Sequence, residues 1–361
     1  MTQKAEQPRL MKGNEALAEA ALRAGMHAYF GYPITPQSEI LEYLTEHGRE
    51  YGCVVLQAES EIAAINMIYG AGGAGGRVMT TSSSPGISLM QEGLSYMASA
   101  EIPCLVVNIN RGGPGLGTIQ PAQSDYFQAT KGGGHGDYRL IVLAPSSVQE
   151  MADFVFEGFR LAEKYRNPAF ILSDGALGQM MEKVVLPPAG SLPHPEKPWA
   201  TVGKTKNRER NILTSLHIEP EAMEEINHKL QEKYRKLQQE ARHESFEIED
   251  ADLLLVAYGL SARISQKAME LGRERGIKVG LLRPITLYPF PSKAIADAVE
   301  QASNILVVEL NAGQMIEDVK LAVNGRRPVH FKGRMGGIIL SPEELLTKIE
   351  QIMEQHRVEH V

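Results

Sequence analysis

Six short, almost wholly apolar runs recur between residues 28 and 172, each followed by a stretch of helical periodicity: Ala28-Tyr29-Phe30, Val54-Val55-Leu56, Val78-Met79, Cys104-Leu105-Val106-Val107, Leu140-Ile141-Val142-Leu143 and Ala169-Phe170-Ile171-Leu172. Runs without polar alternation need burial on both faces, which a parallel sheet between two helix layers supplies. Residues 1–186 are therefore expected to form one doubly wound α/β domain.

Pro187-Pro188-Ala189-Gly190 opens a stretch rich in Pro, Gly and Lys that disfavours helix and central strand alike. It reads as an extended linker, to about Arg210. From Glu219 to Arg242 a charged helical pattern carries a narrow apolar stripe, Met223, Ile226, Leu230, Tyr234 and Leu237, which suits a solvated helix bridging two domains better than a docked one. Residues 187–248 are thus a linker with a charged helix. Beyond it, Leu253-Leu254-Leu255-Val256, Val279-Gly280-Leu281-Leu282 and Ile305-Leu306-Val307-Val308, with helical segments between them and a last one from Pro342, predict a second, smaller parallel α/β domain over 249–361.

Lys and Arg number 37 against 44 Asp and Glu, a net charge of −7 with no basic cluster, so nucleic acid is not an expected partner. The N-terminal Met1–Pro8 is polar, unlike a signal peptide, and no apolar run approaches the roughly 20 residues of a membrane span. A cytoplasmic protein without a membrane association is expected. Cys53 and Cys104 each adjoin aliphatic residues, as small buried hydrophobes do, and two cysteines supply neither a zinc site nor an iron–sulfur cluster. Any redox cofactor must be carried elsewhere.

Polar motifs follow several of the apolar runs. In Glu59-Ser60-Glu61-Ile62-Ala63-Ala64-Ile65, Ser60 is a candidate N-cap and Glu61 falls in the first helical turn, where it could serve a cofactor or only the helix macrodipole. Gly31-Tyr32-Pro33-Ile34-Thr35-Pro36 is a rigid turn at a strand's carboxyl end; Thr35 is a candidate hydroxyl in a cleft, a helix N-cap, or both. Ser82-Ser83-Ser84-Pro85-Gly86 leads into a helix and could hold a polar ligand or merely cap it. Arg111, followed by Gly112-Gly113-Pro114-Gly115, could hold a carboxylate bidentately or be a surface arginine. His135, in Lys131-Gly132-Gly133-Gly134-His135-Gly136-Asp137, could line a cleft or be exposed. The glycines from Gly70 to Gly76 stand after a helix and before a strand, the reverse of a phosphate loop, and are read as a helix terminator. Ser173-Asp174-Gly175 is read as a strand-end turn.

As an ordered set, Gly31–Pro36, Gln57-Ala58-Glu59-Ser60-Glu61, Ser84-Pro85-Gly86, Arg111–Gly115 and Gly132–Gly136 resemble the alpha subunit of a 2-oxoacid:ferredoxin oxidoreductase, over essentially Met11 to Leu340. Met11-Lys12-Gly13-Asn14-Glu15-Ala16 and Leu143–Met151 look most like the 2-ketoisovalerate (3-methyl-2-oxobutanoate) type, with the 2-oxoglutarate type close behind. The resemblance implies a thiamine-diphosphate pyrimidine-binding domain followed by a transketolase C-terminal-like domain. It implies that Glu61 hydrogen-bonds the aminopyrimidine ring, favouring the imino tautomer whose nitrogen takes the thiazolium C2 proton. Thr35 and Ser84 would adjoin the cofactor, and Thr35, Arg111 and His135 the substrate. Glu59 is a second choice for the Glu61 role.

The same resemblance implies an incomplete site in this chain. A beta subunit would bind the diphosphate and Mg²⁺, and iron–sulfur clusters would lie in a ferredoxin-like cluster subunit and other partners, with a gamma subunit completing the assembly. The reaction implied is oxidative decarboxylation of a 2-oxo acid with coenzyme A, giving acyl-CoA, CO2 and reduced ferredoxin. Two other classes compete. A non-catalytic ligand-binding or regulatory protein lacks support from any dinucleotide motif, and a purely structural scaffold leaves Thr35, Glu61 and Arg111 unexplained.

Overall fold

A computed structural model describes residues 7–204 and 207–359; the first six residues of the polar N-terminus and two positions of the linker lie outside them. The strands are β1 (Arg9–Lys12), β2 (Ala28–Gly31), β3 (Val54–Gln57), β4 (Val78–Ser82), β5 (Leu105–Asn110), β6 (Ile141–Leu143), β7 (Ala169–Asp174) and β8 (Met181–Val184), then β9 (His243–Phe246), β10 (Leu253–Ala257), β11 (Val279–Pro284), β12 (Thr286–Tyr288), β13 (Asn304–Glu309) and β14 (Val329–Gly333). The helices are α1 (Gly13–Arg23), α2 (Ser38–His47), α3 (Glu61–Gly73), α4 (Ser84–Ser99), α5 (Tyr126–Thr130), α6 (Val148–Tyr165) and α7 (Gly175–Gln179), then α8 (Pro220–Leu237), α9 (Gly259–Glu274), α10 (Ser292–Ala298), α11 (Met315–Val323) and α12 (Pro342–Glu359). No helix among the described residues is long and apolar enough to cross a membrane.

All six predicted runs are parallel strands of one sheet, in the order β3-β2-β4-β5-β7-β6. Side-chain parity explains why the runs are unbroken. In β5, Leu105, Val107 and Ile109 enter a core with α1, α2 and α6, while Val106 enters the opposite core with α3 and α4. Val54-Val55-Leu56 departs from this expectation of a buried strand. β3 is the sheet's edge, α3 packs over β2 and β4 instead, and Val54 and Leu56 are 57% and 43% exposed.

The second sheet runs β14-β13-β10-β11-β9, the first four parallel and β9 antiparallel. Leu253, Leu255 and Ala257 face α9 and α12, whereas Leu254 and Val256 share one continuous core with α3 and α4 of the first sheet. The two sheets also exchange chain. β12 lies downstream of β11 yet pairs antiparallel with β6, closing the first sheet's far edge. β9 lies in the stretch read as a linker. A three- or four-residue strand carries too short an apolar pattern to be recognised before its partner is known.

The charged helix α8 is docked and not solvated. Leu230, Tyr234 and Leu237 are buried in the core that holds α1 and α6, with Ile226 against them. Lys233 reinforces the contact, its ammonium donating to the Arg166 carbonyl at 3.1 Å and lying 3.4 Å from Glu101. Four residues of the stripe sufficed, Met223 lying outside the core. The preceding linker is pinned by the buried Arg77, which pairs with Glu163 at 2.7 Å and donates to the Pro193 carbonyl at 2.6 Å.

Leu237→Ala should therefore destabilise the protein by about 2–5 kcal/mol, the range for truncating a buried leucine, when measured by denaturant unfolding. A change under about 0.5 kcal/mol would mean the helix is solvated.

Candidate active site

The carboxyl ends of β2, β3, β4, β5 and β7 open onto one end of the first sheet, where open α/β folds place ligands. The loops and helices that follow carry Thr35, Glu61, Ser84, Arg111 and Asp174. Ser60 caps α3, its hydroxyl accepting the Ala63 N–H at 3.2 Å, so Glu61 is the first residue of the helix. Glu61 is nonetheless only 6% exposed. Among the described residues its carboxylate takes part in no ion pair or hydrogen bond. It lies against Gly86, where a Cβ would come within 2.5 Å of Oε1 and 2.0 Å of Ser82 Oγ, so the glycine is what lets α3 and α4 approach. The Glu61 carboxylate oxygens are not sealed, so they stay open to a donor from outside the chain.

Arg111 is buried, which removes the surface reading. Its Nη1 donates to the Thr35 carbonyl and its Nη2 to the Leu116 carbonyl, both at 2.9 Å, and its Nε is buried without a partner. One N–H on each Nη is left without a protein partner, while the Nε–H is sealed. The Arg111 backbone N–H donates to Ser84 Oγ at 3.0 Å, the Ser84 hydroxyl donates to the Arg111 carbonyl at 3.2 Å, and the Ser84 N–H donates to Asn108 Oδ1 at 3.1 Å. Thr35, Ser84 and Arg111 are one hydrogen-bonded unit, with Glu61 behind it across Gly86.

Thr35 does not cap a helix. α2 starts at Ser38, because the fully buried Gln37 is held in the loop: its Nε2 donates to the Tyr32 carbonyl at 3.1 Å and its Oε1 accepts the Thr81 hydroxyl at 2.5 Å. Thr35 is exposed, with a cis bond to Pro36. Glu59 is exposed in the bend before α3. His135 is not brought to this group. Its ring meets Tyr96 edge-on at 6.4 Å, and Tyr96 lies about 18 Å along α4 from Ser84 at 1.5 Å per residue. The Gly133 N–H donates to Gln91 Oε1 at 3.1 Å, laying the glycine loop on α4 with His135 exposed. The glycines at 70–76 end α3, Gly75 having φ 89°.

Several polar residues that sequence reasoning passed over support the site. Asn14 donates to the Pro36 carbonyl at 2.9 Å. Gln123 joins the two domains: its Oε1 accepts the Ser261 hydroxyl at 2.6 Å and the Leu310 N–H at 3.0 Å, and its Nε2 donates to the Tyr258 carbonyl at 2.8 Å. Asp125 accepts from Asn108 Nδ2 at 2.8 Å; burial raises its carboxyl above the ordinary aspartate range, against the opposing pull of Ser84, Asn108 and Asn110. The available signal was polar residue types at the ends of apolar strands. A cavity of about 670 Å³ adjoins Ser84 and Pro85, between Asp125 and Gln128 on one side and Asn311 and Gln314 of the second domain on the other. A larger cavity, about 860 Å³, lies between residues 238–249 and 290–301 and touches none of the predicted residues.

Among the described residues no group of three His, Cys, Asp or Glu side chains is placed to hold a metal ion. Cys53 and Cys104 are buried free thiols; burial pushes Cys53 up to about 11 and Cys104 further. Asp174 ends β7 and caps α7, accepting the Ala176 N–H at 2.9 Å and the Leu177 N–H at 3.1 Å. This is the strand-end turn expected of Ser173-Asp174-Gly175.

A buried glutamate without a protein partner opens α3, and an arginine with N–H groups left over follows β5, both at carboxyl ends of the same sheet. A family model described as pyruvate flavodoxin/ferredoxin oxidoreductase, thiamine diphosphate-binding, matches residues 19–247, and one described as pyruvate:ferredoxin oxidoreductase core domain II matches residues 251–345. The chain is 49% identical over 344 residues to the ketoisovalerate oxidoreductase subunit VorB of Methanothermobacter marburgensis, covering 95% of this chain and 97% of that protein. Among solved structures it matches a 2-oxoglutarate:ferredoxin oxidoreductase from Magnetococcus marinus with a TM-score of 0.85 and 28% identity, over 97% of this chain and 66% of that one. A split-gene transketolase matches with a TM-score of 0.59 and 11% identity, over 94% and 97%, which shows the fold alone. The chain belongs to the thiamine-diphosphate-dependent 2-oxoacid:ferredoxin oxidoreductase family. Its first domain is the thiamine-diphosphate-binding one, and the second follows the transketolase-like arrangement.

Asp174 supplies a test of the buried strand ends. Burial raises its carboxyl from 3.8 to about 6, against its two backbone hydrogen bonds. A raised value favours the folded state at low pH, and that contribution is lost as pH rises through about 6. Asp174→Asn should gain stability relative to the parent chain between pH 4 and pH 7, by an amount on the order of 2–3 kcal/mol. Equal differences at both pH values in denaturant unfolding would refute the account.

Proposed function

We propose that this chain is the alpha subunit of a 2-ketoisovalerate:ferredoxin oxidoreductase and supplies the pyrimidine side of its thiamine diphosphate site. The observation that carries the reading is Glu61, a buried carboxylate without a protein partner at a helix start. A ring nitrogen held there would satisfy it, so the residues present fit the cofactor. When bound, thiamine diphosphate supplies a nucleophilic carbon and an electron sink for decarboxylation. Glu61 holds the aminopyrimidine ring and fixes its protonation, with Gly86 and Ser82 packed beside the carboxylate. Arg111 holds the substrate carboxylate through its available N–H groups, its plane preset by the Thr35 and Leu116 carbonyls. Thr35 presents its exposed hydroxyl beside the substrate. Ser84 fixes the Arg111 backbone.

A beta subunit binds the diphosphate and Mg²⁺ and closes the site; a ferredoxin-like cluster subunit and a gamma subunit complete a cytoplasmic complex. The overall reaction consumes a 2-oxo acid and coenzyme A and gives acyl-CoA and CO2, with the electrons passed to ferredoxin. Identity of 49% with a ketoisovalerate oxidoreductase subunit favours the branched-chain substrate. The 2-oxoglutarate type is the second reading, from the structural neighbour.

Reconstitution with partner subunits should restore 2-ketoisovalerate- and coenzyme A-dependent reduction of a low-potential acceptor; full activity from this chain alone would refute the split site. Glu61→Ala should lower turnover of the assembled complex by about 10²–10⁴-fold without loss of co-purification. In a substrate panel, kcat/KM should be higher for 2-ketoisovalerate than for 2-oxoglutarate, and the opposite order would assign the second type.

A further inference from the structure

Asp125 occupies the N-cap position of α5, where an aspartate ordinarily accepts a backbone N–H of the first turn. Its side chain makes no such bond. It turns instead to Asn108, accepting from Nδ2 at 2.8 Å. A backbone N–H only donates, so the Asn108 carbonyl oxygen faces the Ser84 N–H at 3.1 Å and the Asn108 NH2 is left facing Asp125. Asn108 is fully buried, and no solvent competes for either end of its amide. Ser84 in turn holds both backbone groups of Arg111. The same segment grips Arg111 through the backbone, by a bridge between Arg111 and Pro121 and by the Gly112 N–H donating to the Gln120 carbonyl at 2.9 Å.

We propose that Asp125 is a positioning residue for Arg111: by fixing the orientation of the Asn108 amide it seats Ser84, and through Ser84 it sets the guanidinium that receives the carboxylate of the 2-oxo acid. The inference rests on the role of Arg111 given under the proposed function. Asp125 itself touches no reacting atom. Its removal frees Asn108 to flip and present NH2 to the Ser84 N–H, two donors face to face, which displaces the start of α4 and the Arg111 backbone together.

The test uses the reconstituted complex, with KM and kcat measured for the 2-oxo acid and KM for coenzyme A. Asp125→Ala should raise KM for the 2-oxo acid about tenfold, the loss of one hydrogen bond to a charged group. KM for coenzyme A and kcat should change far less. Asn108→Asp places two carboxylates together and should do the same or worse. The double variant Asp125→Asn with Asn108→Asp restores the pattern in reverse, the new amide donating to the new carboxylate, which still accepts the Ser84 N–H; its KM should return to within about threefold of the parent. A double variant no better than Asn108→Asp overturns the proposal, as does Asp125→Ala with an unchanged KM. Arg111→Lys separates the two levels. If it leaves KM for the 2-oxo acid unchanged, the functional reading of Arg111 fails; if it raises KM while Asp125→Ala does not, the positioning role alone falls.

Discussion

Burial of the first sheet on both faces is the constraint on which the rest depends. β5 and β7 have no exposed residue along their length, so polar side chains there need protein partners. They gather at the strands' carboxyl halves: Thr80, Thr81 and Ser82 in β4, Asn108 and Asn110 in β5, Ser173 and Asp174 in β7. For Thr81, Asn108 and Asp174 those partners are the loops beyond, whereas the Thr80, Ser82 and Ser173 hydroxyls are buried without one. Thr81 takes the Tyr29 hydroxyl at 2.7 Å and reaches Gln37, Asn108 reaches Ser84 and Asp125, and Asp174 takes two N–H groups of α7. Desolvated polar groups thereby fix the loop conformations as firmly as packing fixes the strands.

This division explains what was legible in the sequence. The six strands of the first sheet, the three first recognised in the second, and the start of α3 at Glu61 all follow from periodicity and local capping, which need no knowledge of neighbours. Exposure of Val54 and Leu56 depends on strand order, and the docking of α8 depends on which surface its stripe meets. β12 pairs with a strand more than a hundred residues upstream. Of the two roles left open for Thr35, the cap fails because, although Pro36 suits a first helical turn, the buried Gln37 holds the loop open until Ser38. Thr35, Ser84 and Arg111 lie together because strand-end loops of one parallel sheet share a cleft. His135 was not separable from them, since the glycine loop that places it on the far half of α4 is set by Gln91.

The second domain is part of the first domain's architecture. β12 closes the sheet, one core runs from α3 and α4 to β10 and β13, and Gln123 ties the loop after Arg111 to the ends of β10 and β13. Gln123 is 3% exposed and uses its side-chain oxygen twice, its side-chain amide once, and its backbone carbonyl to accept from Asn311 Nδ2 at 2.8 Å. So many bonds from one buried residue leave little freedom for the segment Pro121–Asp125, which lies between Arg111 and the second domain.

Rigidity there bears on the chemistry because an arginine that meets a planar carboxylate gains from being set in advance. Two guanidinium N–H groups already bonded to carbonyls remove rotamer freedom that would otherwise be lost on binding. Glu61 is held differently. Its carboxylate has no hydrogen-bond partner among the described residues, so its acceptors remain open to a ligand. The Arg111 side of the cleft is thus satisfied within the chain, down to the Asn108 amide, whereas the Glu61 side is left with acceptors to offer. Under the function proposed above, that asymmetry is what a site shared between two chains requires.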